Sequence, residues 1–128
     1  MKWPVHGPAG RIAYVNGRYL PHAQAGVHIE DRALQLGDGL YEVTNVLDGK
    51  PVDEEPHLDR MERSLRELGI AMPMDRAALK LVMREMIARN RIPNGLLYLQ
   101  VTRGAANRDH FPPKNARRPA LILAMRAQ

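Results

Sequence analysis

The chain has 128 residues, enough for one domain with a hydrophobic core and too few to predict two. Its 45% hydrophobic and 26% charged residues are typical of a globular protein, and the lack of cysteine excludes disulfides, thiolate nucleophiles and cysteine metal sites. The net charge of +5 comes from basic residues scattered among acids, and no apolar run could span a bilayer, so neither a nucleic-acid partner nor a membrane partner is predicted.

The first ten residues do not resemble a signal peptide, because Pro4, His6 and Pro8 interrupt the apolar run that such a peptide needs. Together with the absence of cysteine, this fits a reducing compartment. We therefore expect a cytoplasmic protein.

Two hairpins are predicted in the first half of the chain. Asn16-Gly17 favours a tight turn between residues 12–15 and the Tyr19-Leu20 pair, and Asp48-Gly49 favours a second turn after the run from Leu40 to Leu47. The run alternates in period two, which predicts a strand with two different faces. One face carries Tyr41, Val43 and Asn45, and the other carries Leu40, Glu42, Thr44 and Val46.

Two helices follow the second hairpin. The first is predicted to enter at Pro56 after acidic residues 53–55 and to stop at Gly69, and Asp75 is predicted to cap the second. Apolar residues recur at helical spacing in both, namely Leu58, Met61, Leu65 and Leu68, and then Leu79, Val82, Met83, Met86 and Ile87. Strands are predicted at residues 96–102 and 120–125, with a long polar loop between them. Hairpins with two helices inserted predict an α+β two-layer domain, a largely antiparallel sheet with both helices on one face.

Three ordered motifs carry a resemblance to a known family. The string D-R-x-x-x-x-G-D-G-x-Y-E-V spans residues 31–43, H-x-D-R spans 57–60, and YLQVTRGAANRDH spans 98–110. Together they resemble class IV (fold-type IV) pyridoxal-phosphate aminotransferases, and the third motif is most similar to the D-amino acid aminotransferase branch. The resemblance covers residues 12–125 and matches only the first half of such enzymes.

The resemblance implies roles for four residues. Arg60 taken alone is a solvated helix arginine, but in the family the matching arginine contacts the cofactor phosphate, a task suited to a planar, permanently charged fork. Tyr41 taken alone is a half-buried strand aromatic, but the matching tyrosine lines the substrate side of the cofactor. Arg108 and His110 match residues that, with this tyrosine, trap the substrate α-carboxylate in the neighbouring subunit's site. This implies a homodimer, although Asn107 stands where such relatives often have proline.

Two further motif segments and the histidines also bear on the site. Gly37 and Gly39 would let the backbone pass close to the ligand. Asp31 and Arg32 are expected to form a structural ion pair. The five histidines lack metal-binding spacing, so no metal is predicted.

The family also implies a Schiff-base lysine, which no lysine of this chain matches. Lys2, Lys50, Lys80 and Lys114 lie in a lead-in, a turn, a polar helix face and a loop, where a depressed pKa is not expected. In the family that lysine lies in a larger C-terminal domain. We therefore expect residues 1–128 to be an N-terminal domain without a catalytic residue of its own, inactive without the lysine-bearing domain.

The expected function of the complete enzyme is amino transfer between an amino acid, specifically a D-amino acid, and a 2-oxo acid, with pyridoxal 5'-phosphate as cofactor. Within the family, a branched-chain aminotransferase or an aminodeoxychorismate lyase would share most of the motifs. A different class of protein, a binding or assembly module that kept the fold and lost catalysis, would also lack the lysine.

Overall fold

The computed structural model describes residues 10–114 and 118–128, which form an α+β domain. Its strands are β1 (Ile12–Val15), β2 (Arg18–Pro21), β3 (Gly39–Leu47), β4 (Lys50–Pro51), β5 (Gly95–Thr102) and β6 (Ala120–Ala127). Its α-helices are α1 (Arg32–Leu36), α2 (Glu54–Leu68) and α3 (Arg76–Asn90), and a 3-10 turn spans His22–Gln24. The two-layer prediction is confirmed, with α1 and the 3-10 turn as additions.

The six strands form one sheet in the order β2-β1-β6-β5-β3-β4, and the paired strands run antiparallel. The hairpin β1-β2 turns at Asn16-Gly17, where both residues have positive φ, as a type I′ turn requires. The strand β5 pairs along its whole length with β3 on one side and with β6 on the other, and all three have alternating apolar residues that face the helices.

The core lies between the sheet and the helices α2 and α3. Met61 and Leu65 of α2 and Met86 of α3 are at most 1% exposed, as are Leu97 and Leu123 of the sheet. Leu68 was predicted to belong to the apolar stripe of α2 but is 41% exposed, because the stripe ends one turn before the helix does.

The ends of the two long helices follow their capping residues. The Asp75 side chain accepts a hydrogen bond from the Ala78 amide at 2.8 Å, so the predicted cap of α3 is confirmed. Gly69 ends α2 with φ of 70°, also as predicted. The entry of α2 was predicted at Pro56, with this proline in the first turn, and the helix begins two residues earlier, at Glu54. Pro56 therefore lies in the first turn, where its missing N–H is tolerated.

Candidate active site

Tyr41 lies on the face of β3 that does not pack on the helices, and its side chain is 64% exposed. Its ring stacks on Tyr98 of β5, with 5.8 Å between ring centroids and 22° between ring planes. The Tyr98 hydroxyl donates to Gln100 Oε1 at 3.0 Å, and burial together with the nearby Tyr41 raises the Tyr98 pKa. The two rings form an exposed aromatic surface that carries two hydroxyl groups.

Glu42 points to the opposite face of β3 and is only 8% exposed. Its carboxylate accepts two hydrogen bonds from Arg60 of α2, from Nε to Oε2 at 2.8 Å and from Nη2 to Oε1 at 2.7 Å. His57 Nδ1 lies 2.7 Å from the same Oε1. Since His57 and Arg60 are three residues apart, they share one side of α2 and both reach Glu42.

The charge of Glu42 is maintained by its two partners. Burial by itself would raise the pKa of this carboxyl, but the hydrogen bonds and charges of Arg60 and His57 outweigh burial and lower it. Glu42 in turn raises the pKa of Arg60. A guanidinium has five N–H groups and Glu42 occupies two of them, which leaves three for an anion. Arg60 remains 57% exposed at its side chain, so an anion can reach it.

Glu42 gives the domain a specific acid sensitivity. A carboxyl whose pKa is lower in the folded than in the unfolded chain stabilises the fold above its unfolded pKa and loses that contribution as the pH falls. We expect the unfolding free energy of the wild-type chain to decrease as the pH falls below about 4.5. Glu42→Gln should be less stable at pH 7 and should change less between pH 6 and pH 3. Urea unfolding across this range measures both slopes, and parallel slopes would contradict the assignment.

Arg108 and His110 lie on the loop that follows β5, and both are exposed. No hydrogen bond or ion pair within residues 10–114 and 118–128 joins either of them to Tyr41 or Arg60. The structure thus brings Arg60 and His57 together at Glu42, on the helix side of β3. Tyr41 lies on the other side of this strand, and Arg108 and His110 lie on the loop after β5.

Arg32 does not form the ion pair expected with Asp31. Its Nε donates to Asp38 Oδ2 at 2.8 Å, and Arg103 Nε donates to the same oxygen at 2.6 Å. Asp31 instead caps α1 by accepting from the Ala33 amide at 2.9 Å, and it accepts from the Thr102 hydroxyl at 2.9 Å. The reason is the short helix α1, which turns Arg32 away from Asp31 and towards Asp38 at the helix end.

Backbone geometry explains why glycine stands at both positions before Tyr41, in ways that were not predicted from the sequence. Gly37 ends α1 with φ of 67°, a conformation that favours glycine. At Gly39, a Cβ atom would lie 2.6 Å from the carbonyl oxygen of Val101 in β5. Gly39 therefore allows a close approach between two strands. The expected close approach of this backbone to the ligand stays a prediction.

None of the lysines in the described part of the chain is buried: Lys50 and Lys114 are exposed, and Lys80 pairs with Glu55. Lys2 lies outside the described residues.

Within residues 10–114 and 118–128, no group of three or more histidine and acidic side chains could hold a metal ion. The helices of this same part lack the length and apolar composition of a membrane span.

The fold and the motifs agree with the comparison to known proteins. The family model described as "Amino-transferase class IV" matches residues 39–128, which include Tyr41, Arg60, Arg108 and His110. The chain belongs to the class IV aminotransferase family, whose members use pyridoxal phosphate.

The chain is similar to individual members of this family in sequence and in structure. The chain is 41% identical to the D-alanine aminotransferase of Bacillus licheniformis over 74% of its own length and 34% of the relative's. Among solved structures, the 4-amino-4-deoxychorismate lyase of Pseudomonas aeruginosa has a TM-score of 0.73 and 34% identity, over 90% of this chain and 39% of that one. A branched-chain amino acid aminotransferase from Escherichia coli has a TM-score of 0.85 at 19% identity, over 93% and 41%, and shows the fold alone. The chain thus spans about a third of the length of the curated relatives it matches.

Proposed function

We propose that this chain is the N-terminal domain of a pyridoxal-phosphate transaminase that exchanges an amino group between a D-amino acid and a 2-oxo acid. The main support is the 41% identity to a D-alanine aminotransferase. The structural observation behind the cofactor site is Arg60, a half-exposed guanidinium whose orientation is fixed by the buried Glu42.

The residues present fit the cofactor's phosphate group. Arg60 offers three N–H donors and a permanent charge, and Glu42 fixes the orientation of its planar fork, which favours the binding of an oxyanion. When bound, pyridoxal phosphate supplies the carbonyl and the electron sink for amino transfer. The chain's contribution is to bind and orient, while the lysine that moves the proton belongs to the C-terminal domain.

The substrate carboxylate is assigned to Tyr41, Arg108 and His110. The hydroxyl of Tyr41 and the guanidinium of Arg108 are donors, and charge-assisted hydrogen bonds to a carboxylate explain these residue types. Within the described residues no hydrogen bond joins Arg108 or His110 to Tyr41. In this proposal the three residues converge when the loop of one copy reaches the site of another. The proposed enzyme is therefore a homodimer, and we propose a cytoplasmic location for it.

Substrate profiling of the complete enzyme tests this function. With pyridoxal phosphate and a 2-oxo acid acceptor, we expect turnover of D-alanine and little turnover of L-leucine. The 128-residue chain under the same conditions should give none. Preference for L-leucine would contradict the D-amino acid assignment, and turnover by the 128-residue chain would contradict the need for a second domain.

An aminodeoxychorismate lyase is the second candidate, favoured by the 34% identity to the Pseudomonas aeruginosa lyase over 90% of this chain. Release of an aromatic amine from 4-amino-4-deoxychorismate, with no D-alanine turnover, would favour it. A non-catalytic module is the third candidate, from a different class, and a complete protein that binds no pyridoxal phosphate would favour it.

A further inference from the structure

In the described residues of the loop that carries Arg108 and His110, one attachment to the domain lies beyond the end that leaves β5. Near β5, the Arg32 amide donates to the Gly104 carbonyl at 3.0 Å and the Ala106 amide donates to the Glu30 carbonyl at 3.2 Å. From residue 107 to residue 114, one hydrogen bond joins the described loop to the rest of the domain. It runs from Arg32 Nη1 to the carbonyl oxygen of Asp109 at 2.6 Å.

The surroundings of Arg32 fix its side chain in the orientation that binds the Asp109 carbonyl. It is 4% exposed, and its Nε is fixed by Asp38 while its Nη1 reaches Asp109, so one rigid fork joins two parts of the chain. Burial by itself would raise the pKa of Asp38, but the hydrogen bonds and charges of Arg103 and Arg32 lower it, and Asp38 stays ionised. Lysine could not replace this fork, because its ammonium group is a single point of charge.

We propose that Arg32 is a positioning residue that fixes the Arg108–His110 segment by holding the carbonyl of the residue between them. Its consequence for substrate binding rests on the proposed function, because it assumes that Arg108 and His110 bind the substrate carboxylate. The positioning itself is a property of this chain and can be measured without any substrate.

Arg103 provides a matched control. It donates to the same Asp38 oxygen at 2.6 Å, but its other bonds go to the carbonyl oxygens of Leu68 and Gly69 at the end of α2. Arg103→Gln therefore removes one positive charge, one bond to Asp38 and the two bonds to the end of α2, without touching Asp109. Arg32→Gln removes the same charge and the bond to Asp109 as well.

Limited trypsin digestion of the 128-residue chain, followed by mass spectrometry, tests the positioning. Trypsin can cleave after Arg108 when the peptide next to Asp109 leaves the surface. Arg32→Gln should speed this cleavage roughly ten-fold or more, the effect of losing a charge-assisted hydrogen bond, while Arg103→Gln should change it less than about two-fold. Cleavage after the exposed Arg91, at the end of α3, serves as the internal reference for general stability.

Two outcomes would overturn the inference. One is an unchanged rate after Arg108 in Arg32→Gln, and the other is an equal increase in both variants, which would assign the effect to Asp38 alone. Where Arg32→Gln fails to fold, Arg32→Lys takes its place, because it keeps the charge beside Asp38 and still loses the fork. An unchanged rate after Arg108 in Arg32→Lys would overturn the inference equally.

Kinetics of the complete enzyme separate the inference from the proposed function. Arg32→Lys should raise KM for D-alanine about ten-fold with a smaller change in kcat, and Arg103→Gln should leave KM within about two-fold. Faster cleavage after Arg108 with an unchanged KM would support the role of Arg32 and contradict the carboxylate role of the loop. A raised KM without faster cleavage would overturn the positioning role.

Discussion

Replacing Arg60 with alanine is expected to lower the affinity of the complete enzyme for pyridoxal phosphate by roughly 10- to 100-fold. A hydrogen bond between charged partners contributes about 1.5–3 kcal/mol, so the loss of one such bond from Arg60 to the phosphate group corresponds to this range. An absorbance titration with pyridoxal phosphate measures the dissociation constant directly.

Arg63→Ala is the matched control for this measurement. Arg63 is an exposed arginine on the same helix, and it makes no bond to Glu42. Removing Arg63 changes the net charge by the same amount as removing Arg60. A difference in cofactor affinity between the two variants therefore comes from where Arg60 lies and not from net charge. Equal affinities for the cofactor would contradict the phosphate role.

Arg60→Lys separates charge from geometry. A lysine keeps the positive charge but cannot form the two-point bond to Glu42 or the planar contact with a phosphate. We expect it to recover only part of the lost affinity. Full recovery would mean that the charge alone is needed and that the fork fixed by Glu42 is unimportant.

Much of the fold followed from periodic patterns in the sequence. The alternation from Leu40 to Leu47 predicted which residues of β3 share a face, because side chains of a strand alternate between its two sides, and the structure shows which of the two faces packs on the helices. Asp75 and Gly69 predicted helix ends, since each supplies a group or a conformation that a helix end requires. These features depend on neighbours in sequence, so the sequence contains them.

The ion-pair partners of Asp31 and Arg32 could not be predicted from periodic patterns in the sequence. Asp31 and Arg32 are adjacent, yet α1 directs Arg32 to Asp38 and leaves Asp31 as a cap. The five residues of α1 are less than two turns, too short for a periodic signal, although Asp31 and Gly37 carry the capping signals at its ends.

Glu42 could have been found from the sequence. It falls on the inner face of a strand, where an ionised carboxylate requires a partner, and the following helix carries His57 and Arg60 at a spacing of three. The stacking of Tyr98 on Tyr41, in contrast, depends on the register between β3 and β5. That register sets Tyr98 opposite Val43, and Tyr41 opposite Gln100.

Gly39→Ala is expected to lower the free energy of unfolding of the domain by about 1–3 kcal/mol. Gly39 is the first residue of β3, at the end of the strand that carries Tyr41 and Glu42. The added Cβ would lie 2.6 Å from the Val101 carbonyl oxygen and 3.1 Å from the Thr102 Cα atom. Both are backbone atoms of a paired strand and cannot rotate away, so β3 and β5 must separate. Urea unfolding of the 128-residue chain measures the change.

Gly26→Ala is the control for this change, because a Cβ atom there would meet no atom within 4 Å and its φ is not positive. We expect it to be neutral or to stabilise the chain by up to about 1 kcal/mol, since alanine restricts the unfolded chain more than glycine does. A Gly39→Ala variant as stable as Gly26→Ala would mean that β3 and β5 are not packed this closely. The proximity of Tyr41 to Tyr98, and with it the aromatic surface of the site, depends on that same strand pairing.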